Sequence, residues 1–270
     1  MKIPQLLIGT FQNNNYKELF DVVKAGVEVG FTGFDTAPSY GTEAQLGKAI
    51  QECAAEYNLK RDDFYISDKI DAWQMQEGNG NVTRYVENAL NAMGLDFFDM
   101  LLIHWPIPEY VENTWKCFLK LRERKLAKEI GICNVRVRHL EDWIKRDMCP
   151  NFIQIERHPL RICQKEMDYC HKHGITVMAY SPLCRMHPDL RNNQYLQMLS
   201  DKYKKNIGQI ILRWQIETNV IPVFMSKKPC RIKENVEIFN FNLTTDEVEK
   251  INSLDQNYKI FLESWGCPGF

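Results

Sequence analysis

Four side chains of complementary chemistry are spread over the first half of the sequence: Asp35, Tyr40, Lys69 and His104. Each closes or follows a short apolar run, in TGFDTAPSY, FYISDK and FFDMLLIH. A free tyrosine has a pKa of about 10 and needs a cationic neighbour to exchange protons near neutrality. A lysine beside it would favour phenolate and lower that pKa, and a carboxylate would hold the ammonium in place. A neutral histidine would add a donor for a substrate oxygen. Asp35 and Tyr40 share one strand-to-helix loop, while Lys69 and His104 end the next two apolar runs. Charged groups at the ends of apolar strands are costly in a core and natural in a cavity. The expected chemistry is proton transfer at a substrate oxygen, with Tyr40 poised by Lys69 and Asp35.

Positioning these residues requires strands that end side by side. Short apolar runs predict strands at 5–10, 32–37, 64–69, 97–104, 127–133, 152–156, 175–181 and 220–225. Helical patterns fill the intervals at 16–29, 43–56, 82–93, 111–124, 137–146 and 164–173. They continue at 190–203, 207–218, 229–239 and 244–254, the last opening on a capped start at Thr244-Thr245-Asp246-Glu247. Consecutive apolar strands separated by helices imply a parallel sheet buried on both faces. Eight such units favour a closed (β/α)8 TIM barrel over an open doubly wound sheet, with extra helices near the C-terminus. The first strand ends Gly9-Thr10-Phe11, so no GxGxxG dinucleotide loop follows it. With no linker or low-complexity segment, residues 1–270 are expected to form one barrel domain. In such a barrel functional groups gather at the carboxyl ends of the strands.

Composition narrows the classes. A 270-residue chain with 44% hydrophobic and 26% charged residues can build a sizeable core. A net charge of −1 argues against nucleic acid and acidic membranes as partners. No apolar run resembles a signal peptide or approaches the roughly 20 residues of a spanning helix, so a soluble cytoplasmic protein is expected. The nine cysteines are odd in number and irregularly spaced. Cys163, Cys170, His171 and His173 form the sole metal-like cluster, but on a helix the two histidines lie about 200° apart. Free thiols, no disulfide and no metal are expected.

Several longer motifs sharpen the picture. FDTAPSYGTE, the ISDK ending at Lys69 and LLIHWP at Leu101–Pro106 are followed by GICN at Gly131–Asn134 and QIERHP at Gln154–Pro159. AYSPL at Ala179–Leu183 and RIKEN at Arg231–Asn235 complete the series. Together, and in this order, they resemble the aldo-keto reductases, from about Ile3 to Leu254. The resemblance implies a (β/α)8 barrel that reduces an aldehyde, ketone or keto-sugar with NADPH and no metal. It implies that Tyr40 is the general acid, that Lys69 paired with Asp35 tunes it, and that His104 orients the carbonyl. Tyr180 would stack on the nicotinamide ring, with Cys133, Asn134 and Gln154 holding its carboxamide. Ser181, Leu183 and the segment around Ser226 would lie along the pyrophosphate, with Thr10 at the same cofactor face. Arg231, Glu234 and Asn235 would grip the adenosine end, Arg231 matching a 2′-phosphate by its planar fork. Phe11, Trp73 and Trp105 are candidates for an aromatic substrate wall, and Trp265 for the rim.

Three departures from the family pattern stand out. The first strand is expected to start within about five residues of Met1, without the bottom hairpin with which the family often begins. Met1–Pro4 with large side chains, or a neighbouring subunit, would have to close the barrel floor. Cys133 replaces a carboxamide-binding serine, and Met225 stands where a lysine usually meets the 2′-phosphate, with Lys227 and Lys228 nearby. NADPH is the expected cofactor, with NADH as the alternative. The expected partner is a small carbonyl substrate, and the expected state a monomer or weak homo-oligomer. A cofactor-binding sensor with negligible turnover is the competing function.

Overall fold

Side-chain alternation along eight parallel strands sorts the core of the computed structural model, which describes residues 3–262. The strands are β1 (Leu7–Gly9), β2 (Gly33–Asp35), β3 (Tyr65–Ile70), β4 (Phe98–Ile103), β5 (Ala127–Cys133), β6 (Phe152–Glu156), β7 (Thr176–Tyr180) and β8 (Val220–Phe224). They hydrogen-bond in sequence order and close as β8 pairs with β1, Leu7 opposite Val223. Inward-facing Leu7, Tyr65, Met100, Leu102, Phe152, Met178 and Val223 form one cluster inside the barrel. Their neighbours Ile8, Ile66, Leu101, Ile132, Ile153 and Val177 face outward into the helical shell. Period-two alternation of uniformly apolar strands produces these two separate cores. Ile3, preceding β1, packs against these inward-facing side chains.

The shell begins with α1 (Tyr16–Glu28), α2 (Glu43–Tyr57), α3 (Ala72–Gln76), α4 (Asn79–Met93), α5 (Pro108–Glu123) and α6 (Val137–Ile144). It continues with α7 (Gln164–His173), α8 (Pro188–Arg191), α9 (Gln194–Tyr203), α10 (Ile207–Glu217), α11 (Pro229–Val236) and α12 (Thr245–Asn252). The single helix expected over 190–203 is broken. Asn193 accepts from Tyr195 N and Leu196 N at 3.0 Å each and starts α9 afresh, because a side-chain oxygen there satisfies two orphan amides. The capped start at Thr244 is present: Thr244 Oγ1 accepts from Glu247 N, and Glu247 Oε2 from Thr244 N. Gly131 lets β5 and β6 approach, since a Cβ there would lie 2.4 Å from the Phe152 carbonyl oxygen. A satellite core under α8–α10 and α12 centres on Trp214. The buried Arg157 guanidinium stacks 4.0 Å over its ring.

The cysteine and histidine cluster does not converge. Cys170 is buried, Cys163 donates to the Glu156 carbonyl, and the exposed His173 stacks on Tyr169. Among the described residues no helix is long and apolar enough to cross a membrane.

One buried acid works against the fold. Asp68 faces away from the barrel interior, is 1% exposed, and its Oδ1 has no partner. Burial and the adjacent Glu43 carboxylate hold its pKa well above the usual carboxylate range. A raised carboxyl pKa costs the folded state nothing below the unfolded pKa, and the cost grows as pH rises toward the folded value. Asp68→Asn is therefore expected to stabilise the protein by about 1–3 kcal/mol at pH 8 and by little near pH 4. Melting curves of both proteins at the two pH values check this.

Candidate active site

Because β2, β3 and β4 are adjacent and parallel, their carboxyl ends deliver Asp35, Lys69 and His104 to one end of the barrel. Tyr40 joins them from a one-turn 3-10 helix, Pro38–Tyr40, that follows β2. Pro38 fixes its first residue and Gly41, at φ 65°, turns the chain into α2.

Lys69 is fully buried, its ammonium 2.5 Å from Asp35 Oδ1 and 2.8 Å from the Thr36 carbonyl. Asp35 Oδ2 accepts from Ser67 Oγ at 3.1 Å and Gln154 Nε2 at 3.0 Å. The carboxylate thus has a donor on each oxygen, as a charge removed from water requires. Burial disfavours the Lys69 charge, but Asp35 and its neighbours outweigh it and the ammonium persists above its ordinary range. The ammonium lies 5.0 Å from the centre of the Tyr40 ring.

Tyr40 corrects the sequence-based expectation. Its pKa is raised rather than lowered, because burial penalises phenolate more than Lys69 favours it. The residue is held as a phenol. Its hydroxyl is 3.5 Å from His104 Nε2, and the two rings meet edge to face. Burial and Lys69 push the His104 pKa down against the opposing pull of Asp71, so the imidazole is neutral at pH 7.

Asp35, Tyr40 and His104 floor a cleft of about 810 Å³, with the buried Lys69 paired to Asp35. Phe11 and Trp105 stand on its wall, with Phe11 edge-on to Tyr40 at 5.1 Å. Trp73 does not: it sits on α3, is 48% exposed and packs against Tyr85. The intervening turn of helix, absent from the sequence-based expectation, rotates it outward. Trp265 lies outside the described residues.

Of the residues assigned to the cofactor, Asn134, Gln154, Tyr180, Ser181, Leu183 and Arg231 line the cleft, as does Met225. Asn134 also braces it, donating to the His104 carbonyl and accepting from the Tyr180 hydroxyl, each at 2.8 Å. Others lie off the wall. Thr10 Oγ1 is enclosed with Thr36 and Thr42, at 3.0 and 2.8 Å. Cys133 is buried in the layer beneath, where desolvation holds it as a thiol. Ser226 is nearly buried and accepts from Lys228 N, and Asn235 is buried on α11. Glu234 is exposed on that helix and Lys227 faces Glu18.

Four further residues, given no role by the sequence reading, also shape the site. Asp71 holds His104 Nδ1 at 2.5 Å. Glu156 accepts from Ile260 N and Phe261 N at 2.7 and 2.9 Å, fastening the segment after α12 across the cleft. Phe261 then packs against Phe11 and Tyr180, and Arg185 covers its ring at 5.0 Å. Arg185 sits in three successive left-handed residues, Cys184–Met186, a conformation disfavoured in L-residues by about 1 kcal/mol or more each.

Comparison with known proteins agrees with this geometry. The family model described as the aldo/keto reductase family matches residues 5–256. The oxidoreductase YtbE of Bacillus subtilis is 35% identical over 262 residues, covering 96% of this chain and 92% of its own length. Glyoxal reductase of the same organism is 33% identical with the same coverage. The aldo-keto reductase of Bombyx mori in complex with NADP superposes with a TM-score of 0.90 at 30% identity, covering 97% of this chain and 93% of that one. The chain belongs to the aldo/keto reductase family and is an NAD(P)H-dependent oxidoreductase.

Proposed function

We propose that the protein reduces small aldehydes and ketones, α-dicarbonyl aldehydes among them, using NADPH, with Tyr40 as the proton donor. The carrying observation is the meeting of Tyr40, His104 and the buried Lys69–Asp35 pair at the floor of one cleft. A phenol kept protonated at neutral pH suits donation to a carbonyl oxygen that is gaining charge. Once the proton has left, the Lys69 ammonium faces the phenolate, a charge pair whose attraction is strong in a dry site. Asp35 keeps that ammonium aimed, and solvent returns the proton to Tyr40.

The cleft fits a dinucleotide. One end offers the Tyr180 face with the Asn134 and Gln154 amides; elsewhere it offers the guanidiniums of Arg185, Arg191 and Arg231. Apolar, amide-rich surface suits a nicotinamide, and guanidiniums suit phosphates. When bound, NADPH would supply the hydride. Arg231 would favour the 2′-phosphate over a bare ribose, Met225 contributing no charge beside it. The similarity to glyoxal reductase and the aromatic wall of Phe11, Trp105 and Phe261 support a compact carbonyl substrate.

Purified protein mixed with NADPH and a panel of small aldehydes and α-dicarbonyls tests the proposal by loss of nicotinamide absorbance. Turnover is expected with at least one dicarbonyl, and Arg231→Ala is expected to raise the KM for NADPH about 10–100-fold with little change for NADH. Tight NADPH binding without turnover of any panel member would instead make the protein a cofactor sensor.

A further inference from the structure

We propose that Asp71 is a positioning residue acting through His104: it locks the imidazole in the Nδ1–H tautomer, so that a bare Nε2 faces Tyr40 and the reaction space. His104 is then an acceptor that orients the phenol, in place of the carbonyl donor expected from sequence. The inference rests on the proposed role of Tyr40 as proton donor, but its geometry stands independently.

Asp71 lies just past β3, two residues beyond Lys69, where it caps α3: Asp71 N donates to Gln74 Oε1 at 2.9 Å. This cap fixes where its side chain can reach. Oδ2 accepts from Ser39 N at 2.7 Å, and Oδ1 from Ser39 Oγ at 3.2 Å. Oδ1 also meets His104 Nδ1 at 2.5 Å. Burial opposes the Asp71 charge, yet His104 and the Ser39 donors overcome it and keep the carboxyl below its ordinary range. An ionised carboxylate only accepts hydrogen bonds, so Nδ1 must carry the hydrogen. A neutral imidazole has one N–H, and Nε2 is therefore a lone pair, 3.5 Å from the Tyr40 oxygen.

The charges around this pair agree. Tyr40 faces His104 from the loop after β2, Lys69 and Asp71 from β3 and its end, and Asp35 from β2. Glu43, at the start of α2, faces Asp71. Lys69 and burial oppose an imidazolium, and Asp71 and Asp35 favour it. At neutral pH the phenolic O–H would rest on Nε2. It would rotate to a carbonyl oxygen that arrives between them, which would take its proton from Tyr40 alone. In acid, His104 would gain a proton on Nε2, and the resulting imidazolium, backed by Asp71, would become a second donor.

Asp71→Asn tests the lock because the amide is not symmetric. Its oxygen is held by Ser39 N–H, which turns the NH2 group toward His104 Nδ1 and forces the hydrogen onto Nε2, the same logic by which an Asp-to-Asn change imposes the wrong tautomer in a serine protease triad. Nitrogen-15 NMR of histidine-labelled protein, with and without NADPH, reads the tautomer directly. His104→Gln assigns the signal. The wild type is expected to show a protonated Nδ1 and bare Nε2 at pH 7.5, and Asp71→Asn the reverse. The proton affinity of His104 is expected to fall about tenfold or more in the variant. The inflection it places in the pH profile of kcat/KM should move to lower pH with it. A wild-type spectrum with Nε2 protonated would overturn the proposal whether or not the variant folds. An Asp71→Asn protein that keeps the wild-type tautomer would overturn it equally. The NMR result needs no turnover, so it separates failure here from failure of the Tyr40 assignment.

Discussion

Replacing Tyr40 with phenylalanine is expected to lower kcat for carbonyl reduction by about 10²–10⁴-fold, while NADPH still quenches protein fluorescence at nearly the wild-type affinity. The change deletes one oxygen and preserves the ring packed against Phe11 and His104. The wall and the buried pair below it are therefore undisturbed. The lost group would meet the substrate's oxygen, not the cofactor, so the penalty falls on the chemical step. The buried phenol lies beside the Lys69 ammonium and edge to face with the Phe11 ring, so the lost hydroxyl leaves a space bounded by protein groups. Full turnover in Tyr40→Phe would reassign the acid, with His104 as the next group to test.

Lys69→Met is expected to damage the fold as well as the chemistry. The wild-type ammonium is fully buried against Asp35, whose other donors are the neutral Ser67 and Gln154. Removing the lysine leaves a carboxylate buried without a counter-charge, which costs about 3–5 kcal/mol. For a chain of this size that corresponds to a fall in Tm of about 10 °C. Adding Asp35→Asn should recover much of the lost stability and none of the turnover, since the phenolate left after proton donation would still lack its partner. Melting curves of the single and double variants separate the two contributions. A single variant melting at the wild-type temperature would mean that the pair contributes nothing to the fold.

The barrel was legible because its signal is redundant. The runs at 127–133 and 152–156 coincide with β5 and β6, and the helix at 164–173 with α7. Each is an unbroken apolar or amphipathic stretch bounded by strong turn residues. The cluster proposed to be catalytic was legible as a cluster for a related reason, since a charged residue ending an apolar strand has few places to go but a cavity. What failed depended on three-dimensional surroundings. Burial reversed the expected direction for Tyr40, and no pattern in sequence reports how dry a phenol is. The short α3 carried a cue in Asp71-Ala72-Trp73-Gln74, which has the spacing of a capping box. That short helix carries Trp73 onto Tyr85, and its cap, Asp71, meets His104. Thr10, Cys133 and Ser226 follow the family motifs, yet their side chains turn into the protein. Motif position specifies the backbone more closely than the direction of a side chain.

The Glu156 carboxylate, bound to two amides of residues 260 and 261, also bears on how the site assembles. It makes the pocket wall a contact between the loop after the first strand, through Phe11, and the segment after the last helix, through Phe261. The floor, by contrast, comes from β2–β4, consecutive strands joined by pairings such as Gly33 with Tyr65 and Ser67 with Met100, far nearer in sequence than the Leu7–Val223 pairing that closes the barrel. Contacts that close long loops carry the larger entropic cost. The groups proposed to move a proton thus stand on neighbouring strands, whereas the wall proposed to meet a substrate joins the two ends of the chain.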